Sequence, residues 1–262
     1  MGMITHIVRQ ERTSHRIQQR LAVHHVLQRR ITHDVRGVPS SIPGDPYYTN
    51  GIAPLESDVL FHLPLQETTG AVAVDSSPLG NDGSYEDGPL LAQSAAPLPP
   101  YDLYVSLDGG TIEVPGIDLS GTAPWSCSVW CRFDAGSPNG ALWSLSDGTR
   151  DQEIRLLWLA GNLVFQREVI AARSIVYGSF VPGNENHVIV TYDGSGAVMY
   201  VNGASVGSLS DSNAIASATT PFTFNSGSIF GAITGLDLTG VTLFDRALTP
   251  TEITAIYTAG VS

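Results

Sequence analysis

Asp147, Asp151 and Glu153 are the chain's nearest approach to an acid/base cluster. Glycoside hydrolysis needs two carboxyl groups roughly 5–9.5 Å apart on a rigid platform. Composition instead places these three in a turn. Gly203-Ala204-Ser205-Val206-Gly207 has the Gly-x-Ser-x-Gly spacing of a nucleophile elbow, which requires a strand running into a helix. Here it follows an Asn-Gly turn with no helix after it, so the match is coincidental. His24, His25 and His33 lack zinc spacing with the cysteines and read as polar-face helix residues, while His187 opens a strand and reads as structural. Trp125, Trp143 and Trp158 could stack on sugars or pack a core. Cys127 and Cys131 share a predicted strand, where four residues at about 3.3 Å each put them roughly 13 Å apart. That is beyond the ~7 Å reach of a disulfide, so both read as buried thiols. There is no lysine, which excludes a Walker A phosphate loop.

The elements that must position these residues centre on 187–208. The runs His187–Tyr192 and Ala197–Val201 flank Asp193-Gly194-Ser195-Gly196, and Asn202-Gly203 follows at once. Apolar runs broken by Asp-Gly and Asn-Gly predict a hairpin, with Met199 or Tyr200 facing the core. Both runs are apolar on both faces, so the hairpin lies between covering layers. Further strands are predicted at Val59–Leu65, Ala71–Val74, Ser126–Phe133, Ala141–Leu145, Glu153–Leu159, Leu163–Glu168, Ile175–Phe180, Phe222–Phe224, Ser228–Phe230 and Leu238–Phe244. Tyr104–Leu107 and Thr111–Val114 read as a hairpin across Asp108-Gly109-Gly110, and the Pro- and Ala-rich 84–102 as a loop. Thr249, Pro250 and Glu252 form a capping box for a short C-terminal helix that stops at Gly260.

Before this lies a different kind of chain. Residues 4–36 carry an apolar stripe that includes Ile17, Leu21, Leu27 and Ile31 at mostly three- and four-residue spacings, predicting a helix of about 50 Å. Gly37 and Pro39 stop it. Residues 37–56 hold Pro39, Pro43, Pro46 and Pro54 and read as a stiff linker. Three segments follow: a helical arm at 1–36, the linker at 37–56 and a β domain at 57–262.

Several stretches in order carry a family resemblance. They are Phe61-His62-Leu63-Pro64-Leu65-Gln66-Glu67-Thr68-Thr69-Gly70, Asp75-Ser76-Ser77 through Asn81-Asp82-Gly83, Trp125–Trp130, Val190-Thr191-Tyr192-Asp193-Gly194 with Met199-Tyr200-Val201-Asn202-Gly203, and Leu243-Phe244-Asp245-Arg246-Ala247-Leu248 with Glu252-Ile253. Together they resemble laminin G-like domains of the concanavalin A-like superfamily over about residues 57–260. The resemblance implies an all-β fold, a two-sheet antiparallel jelly-roll sandwich, here with an N-terminal α-helical arm. It implies a buried tryptophan at Trp130. It also makes Asp75 and Asp82 candidates for a structural calcium; the same residues read more readily as Asx turns capping their own loop. Hydrolases of this superfamily line one strand with alternating acids in a Glu-x-Asp-x-Glu or Glu-x-Asp-x-x-Glu pattern, which no strand here has.

Charge separates the two halves. Residues 1–56 carry seven arginines and four acids, a net +3; the whole chain has a formal net charge of −12, which leaves −15 for the rest. An acidic surface argues against a general nucleic-acid binder. No run of residues is long and apolar enough to span a bilayer. Residues 1–36 have no uninterrupted apolar stretch and do not read as a secretion signal. These features point to a non-enzymatic virion structural protein, of bacteriophage type, in a head decoration or a tail fibre. It would be located in the virion, homo-oligomeric, joined to other virion proteins by the arm, and able to contact a cell-surface glycan without a cofactor. A stand-alone carbohydrate-binding module and, behind it, a glycan-cleaving enzyme are the rival readings.

Anchoring and folding should therefore separate. A fragment 57–262 is expected to melt cooperatively as a monomer and fail to join the assembly, and Leu21→Asp or Leu27→Asp should weaken docking by placing a charge on an apolar seam. Calorimetry and sedimentation of the three proteins check this; a fragment that aggregates would mean that the arm packs on its own domain.

Overall fold

The computed structural model describes residues 58–95, 98–146, 152–169, 171–216, 220–226 and 231–261. The arm stripe at Ile17, Leu21, Leu27 and Ile31, the linker, Asp147, Asp151 and Ser228–Phe230 lie outside them.

The described chain forms β1 (Val59–Leu63), β2 (Val72–Ala73), β3 (Gly83–Glu86), β4 (Leu90–Gln93), β5 (Tyr104–Ser106), β6 (Thr111–Val114), β7 (Trp125–Arg132) and β8 (Gly140–Ser146). It continues through β9 (Glu153–Leu159), β10 (Asn162–Glu168), β11 (Ala172–Tyr177), β12 (Asn186–Tyr192), β13 (Gly196–Val201), β14 (Ala204–Ser210), β15 (Phe222–Phe224) and β16 (Asp237–Phe244), and ends in helix α1 (Pro250–Gly260). One sheet runs β14-β13-β12-β7-β16-β5-β4, with β1 also on β16; the other runs β11-β10-β9-β8-β15-β6-β3-β2. All pairings between these strands are antiparallel. The core between the sheets follows the two-residue period of a strand. On β7, Trp125, Cys127, Val129 and Cys131 point inward, against Trp143, Phe165, Phe222 and Phe224 from the second sheet.

The central hairpin is β12–β13, in register from Val188↔Val201 to Tyr192↔Ala197. Its turn is tied by Asp193 Oδ1, which accepts from Ser195 N, Ser195 Oγ and Gly196 N at 2.8–2.9 Å. Met199 faces the core, and Tyr200 faces the opposite layer under α1. The Asn202-Gly203 turn has φ of 51° and 77°, the left-handed pair that a two-residue hairpin needs.

Two expectations fail here. Tyr104–Leu107 and Thr111–Val114 are not a hairpin: β5 pairs with β4 and β16 in one sheet, β6 with β3 and β15 in the other. Asp108-Gly109-Gly110 turns the chain from sheet to sheet, and Asn225 braces that crossing by donating to the carbonyls of Leu107 and Gly110. Residues 84–102 are not all loop, since β3 and β4 lie there. Helix α1 does end at Gly260, as expected, with Val261 as its cap; Gly260 is also small because a Cβ would collide with the Trp130 ring.

The α1 capping box is present, with Glu252 Oε2 accepting from Thr249 N at 2.7 Å. Arg246 grips the same carboxylate with both terminal nitrogens, at 3.1 and 2.7 Å. Ile253 and Ile256 pack on Val59, Ile189, Tyr200, Phe244 and Leu248, closing the outer face of the first sheet. Beside them His187 stacks on Trp130 with ring centres 4.4 Å apart, and Tyr257 lies parallel to both. Among the described residues no helix is long and apolar enough to cross a membrane.

At one end of the sandwich, Arg167 is buried among core side chains. Its Nη1 donates to Asp211 Oδ2 and its Nη2 to the Asn213 carbonyl, both at 2.5 Å. The guanidinium sits 4.6 Å from the centre of the Tyr192 ring, whose hydroxyl donates to the Asp211 carbonyl. This pair ties the segment after β14 to β10 across the two sheets.

Arg167→Met would leave the Asp211 carboxylate buried without its cation, and is expected to cost about 3–5 kcal/mol, read as a lowered urea midpoint. Arg167→Met combined with Asp211→Leu should recover part of the loss. A separate outcome concerns His187, whose pKa burial pushes down from 6.5 to about 3. Between those values the unfolded chain binds the extra proton and the folded chain does not, so stability falls as pH drops from 6.5 towards 3. His187→Phe should flatten that part of the profile relative to the parent, measured by urea unfolding at pH 7, 5 and 4.

Candidate functional site

The outer face of the first sheet is covered by α1, so the geometry turns attention to the outer face of the second. Strand register carries one row of side chains across it. Val72 lies opposite Ser84, Ser84 opposite Glu113 and Glu113 opposite Thr223. Thr223 lies opposite Ser144, Ser144 opposite Arg155, Arg155 opposite Gln166 and Gln166 opposite Ser174. Eight strands at roughly 4.8 Å make this row about 34 Å long. A second row sets Ser146, Glu153, Glu168 and Ala172 side by side. A third is apolar, with Ala141, Leu157, Val164 and the exposed Val176.

Arg155 organises the middle. Its Nη1 ion-pairs with Glu153 Oε2, and its Nη2 donates to Glu168 Oε2 at 2.6 Å. Its Nε donates to Gln166 Oε1 at 2.8 Å. The Arg155 side chain is only 5% exposed and that of Glu153 1%, while Glu168 keeps 22%. Gln166, Thr223, Glu113 and Ser84 are half-buried and Ser174 is exposed. Ala141, Ser144, Ser146, Leu157 and Val164 on the same face are buried, so the hydroxyl, amide and carboxylate groups of these rows that reach solvent lie around a buried centre whose charges are already paired.

The sequence candidates scatter. Glu153 is not in a turn: it begins β9, beside Glu168 on β10. Trp125, Trp143 and Trp158 all lie in the core between the sheets and offer no sugar platform. Ser205 is an exposed residue of β14, and Gly207 has the Ile175 side chain against it. The Gly-x-Ser-x-Gly match is thus edge-strand packing. Cys127 and Cys131 are free and buried; burial raises both thiols, Cys131 to about 12. His187 Nε2 meets Ser128 Oγ at 2.8 Å beneath α1, on the outer side of the first sheet.

The Asp75–Asp82 loop does not fit a calcium ion. Both Asp75 oxygens accept from donors that would face a cation with hydrogen: His62 N, Ser77 N, Ser77 Oγ and Asn81 N, at 2.6–2.8 Å. Asp82 Oδ1 accepts from Asp75 N. Among the described residues no three His, Cys, Asp or Glu side chains come together to hold a metal. Arg155, Gln166 and Glu168 were missed by the sequence reading. Alternation within Glu153–Leu159 and Leu163–Glu168 puts them on outward positions, but only the β9–β10 register brings them together.

Solved structures share this architecture. The binding domain of Paraclostridial Mosquitocidal Protein 1 aligns with TM-score 0.62 at 16% identity, over 78% of this chain and 52% of that one. The botulinum neurotoxin serotype D ligand-binding domain, in complex with N-acetylneuraminic acid, aligns with TM-score 0.62 at 14% identity, over 79% and 52%. Domain 4 of AbnA, a GH43 extracellular arabinanase from Geobacillus stearothermophilus in complex with arabinotriose, aligns with TM-score 0.63 at 16% identity, over 76% and 98%. The chain thus spans about half the length of the toxin binding domains. At these identities the likeness is one of fold. No curated protein sequence matches. The family model described as the Concanavalin A-like lectin/glucanases superfamily matches residues 107–254, more than half of the chain, and with the two-sheet sandwich already traced, the chain belongs to that superfamily.

Proposed function

We propose that this protein is a non-enzymatic, glycan-contacting display protein of a virion, of bacteriophage type. The sandwich would face outward, and residues 1–36 would anchor it to other virion proteins as a homo-oligomer, in a head decoration or a tail fibre. The observation that carries the glycan part is the polar row across the second sheet, in which Gln166 and Thr223 are half-buried and Ser174 is exposed, on either side of the buried, paired Arg155. Hydroxyl and amide groups both donate and accept, which suits the vicinal hydroxyls of sugars. Support for the class comes from relatives of like fold, one crystallised with arabinotriose and one with N-acetylneuraminic acid.

The non-enzymatic part rests on the carboxylates. Acid/base hydrolysis needs two carboxyl groups with different tasks. Glu153 and Glu168 both engage the same guanidinium, so the pair is spent on structure. The virion part rests on the change of charge sign and the proline-rich 37–56 between arm and domain. A stand-alone carbohydrate-binding module is the second reading, favoured by one observation: domain 4 of AbnA is matched over 98% of its length.

The full chain should bind members of a glycan array, release no reducing ends from β-glucans or sialosides, and sediment as an oligomer. Turnover abolished by Glu153→Gln or Glu168→Gln would overturn the non-enzymatic reading. Glycan binding by a full chain that sediments as a monomer would favour the stand-alone module.

A further inference from the structure

A strand with a free edge offers unpaired N–H and C=O groups to any other strand, and proteins guard such edges. Here most are guarded. β2 is two residues long. β4 breaks its register with β5, and Ala92 within it has a φ of 53°. β1 gives its outer edge to the loop after β2: the Leu60 and His62 carbonyls accept from Asn81 Nδ2 and Ser76 N, and His62 N donates to Asp75 Oδ1. β14 is bulged opposite Met199 and Tyr200, and a bulge bends an edge away from a straight partner.

β11 is the exception. It pairs with β10 in unbroken register from Leu163↔Tyr177 to Glu168↔Ala172. Ala172, Arg173, Ser174 and Val176 are exposed, and Val176, at 60%, is the most exposed large hydrophobic among the described residues. β14 runs beside it, with the Ile175 side chain against Gly207. In a chain of net charge −12, β11 and β14 together hold one arginine and no acid. Two copies can therefore meet along this side without opposing acids.

Antiparallel self-pairing about a two-fold axis at Ile175 keeps outward residues opposite outward ones. It sets Ser174 opposite Val176 of the other copy, and Arg173 opposite Tyr177 of the other copy. Arg173 has no ion pair among the described residues, and this register gives its guanidinium an aromatic ring to lie on.

Building on the homo-oligomeric reading, we propose that β11 is the contact between copies of this domain: two copies join β11 edge to edge, antiparallel, once their arms are anchored together. One short edge pairing is small beside the ~800 Å² per partner of a stable interface. It depends on the raised effective concentration that a shared anchor supplies.

The test uses the full chain carrying Ser174→Cys and Val176→Cys together. Opposed residues of the two copies have Cα atoms about 4.5–5.5 Å apart, within disulfide reach, and the buried Cys127 and Cys131 stay out of the reaction. Mild oxidation is expected to give a covalent dimer. Each single variant, and Leu90→Cys on β4, should cross-link far more slowly. Adding Arg173→Ala should slow the double variant about 2–5-fold by removing the cation from the ring. Melting curves confirm that the variants are folded. Amide exchange on the unmutated chain is the second measurement: all amides of Ala172–Tyr177 should exchange slowly, because both sides of the strand are paired. Alternate fast and slow amides, the pattern of a free edge, would overturn the proposal. So would cross-linking no faster than that of Leu90→Cys, or cross-linking speeded by Arg173→Ala, which would make the arginine a guard. These outcomes leave an arm-held oligomer standing. A full chain that sediments as a monomer overturns the homo-oligomeric reading, and the β11 contact with it.

Discussion

The docking of α1 on the first sheet decides how the rest of the molecule is used. A sandwich has two outer faces, and apolar residues there must be covered. On the first sheet Ile189, Tyr200 and Phe244 point outward and Ile253 with Ile256 cover them. The fit is close enough that Gly260 has no room for a methyl group beside Trp130, and the Trp130, His187 and Tyr257 rings lie parallel in that seam. The capping box and the Arg246 grip on Glu252 fix where the helix begins. That face is closed by the chain itself.

The strands that alternate cleanly or carry strong turn signals were legible in the sequence. The β12–β13 hairpin is one case, because Asp193 can tie its own turn and the flanking runs are β-branched. The capped helix is another, since Thr249, Pro250 and Glu252 act locally. The β5–β6 reading failed because Asp108-Gly109-Gly110 specifies a reversal and not the partner that each strand finds afterwards. A tight turn between two sheets and one within a sheet use the same residues; what distinguishes them here is Asn225, more than a hundred residues away. The strands β3 and β4 were lost among prolines and alanines, which lower strand propensity without preventing pairing to a committed neighbour.

The candidate site was legible only in part, for a related reason. Outward parity for Glu153, Arg155, Gln166 and Glu168 follows from alternation within each strand. That Arg155 stands between two glutamates depends on the β9–β10 register, which slides every pair if shifted by one residue. The tryptophans could stack on sugars or pack a core, and nothing in the local sequence separates those uses; Trp125 and Trp143 fill the space between the sheets.

The same arrangement shows how two neighbouring glutamates can share one sheet without repelling each other. Two carboxylates on adjacent strands, with nothing between them, would stand as like charges at close range, and the protein would have to bear that repulsion for the sake of chemistry. A guanidinium two residues along the same strand removes the repulsion and gives each carboxylate a partner. It also fixes Gln166 in one orientation, because Arg155 Nε takes the amide oxygen and leaves the amide nitrogen to point elsewhere. Pairing the charges thus holds Gln166 and both carboxylates in one arrangement, and groups held in place before a ligand arrives lower the ordering cost that binding would otherwise meet.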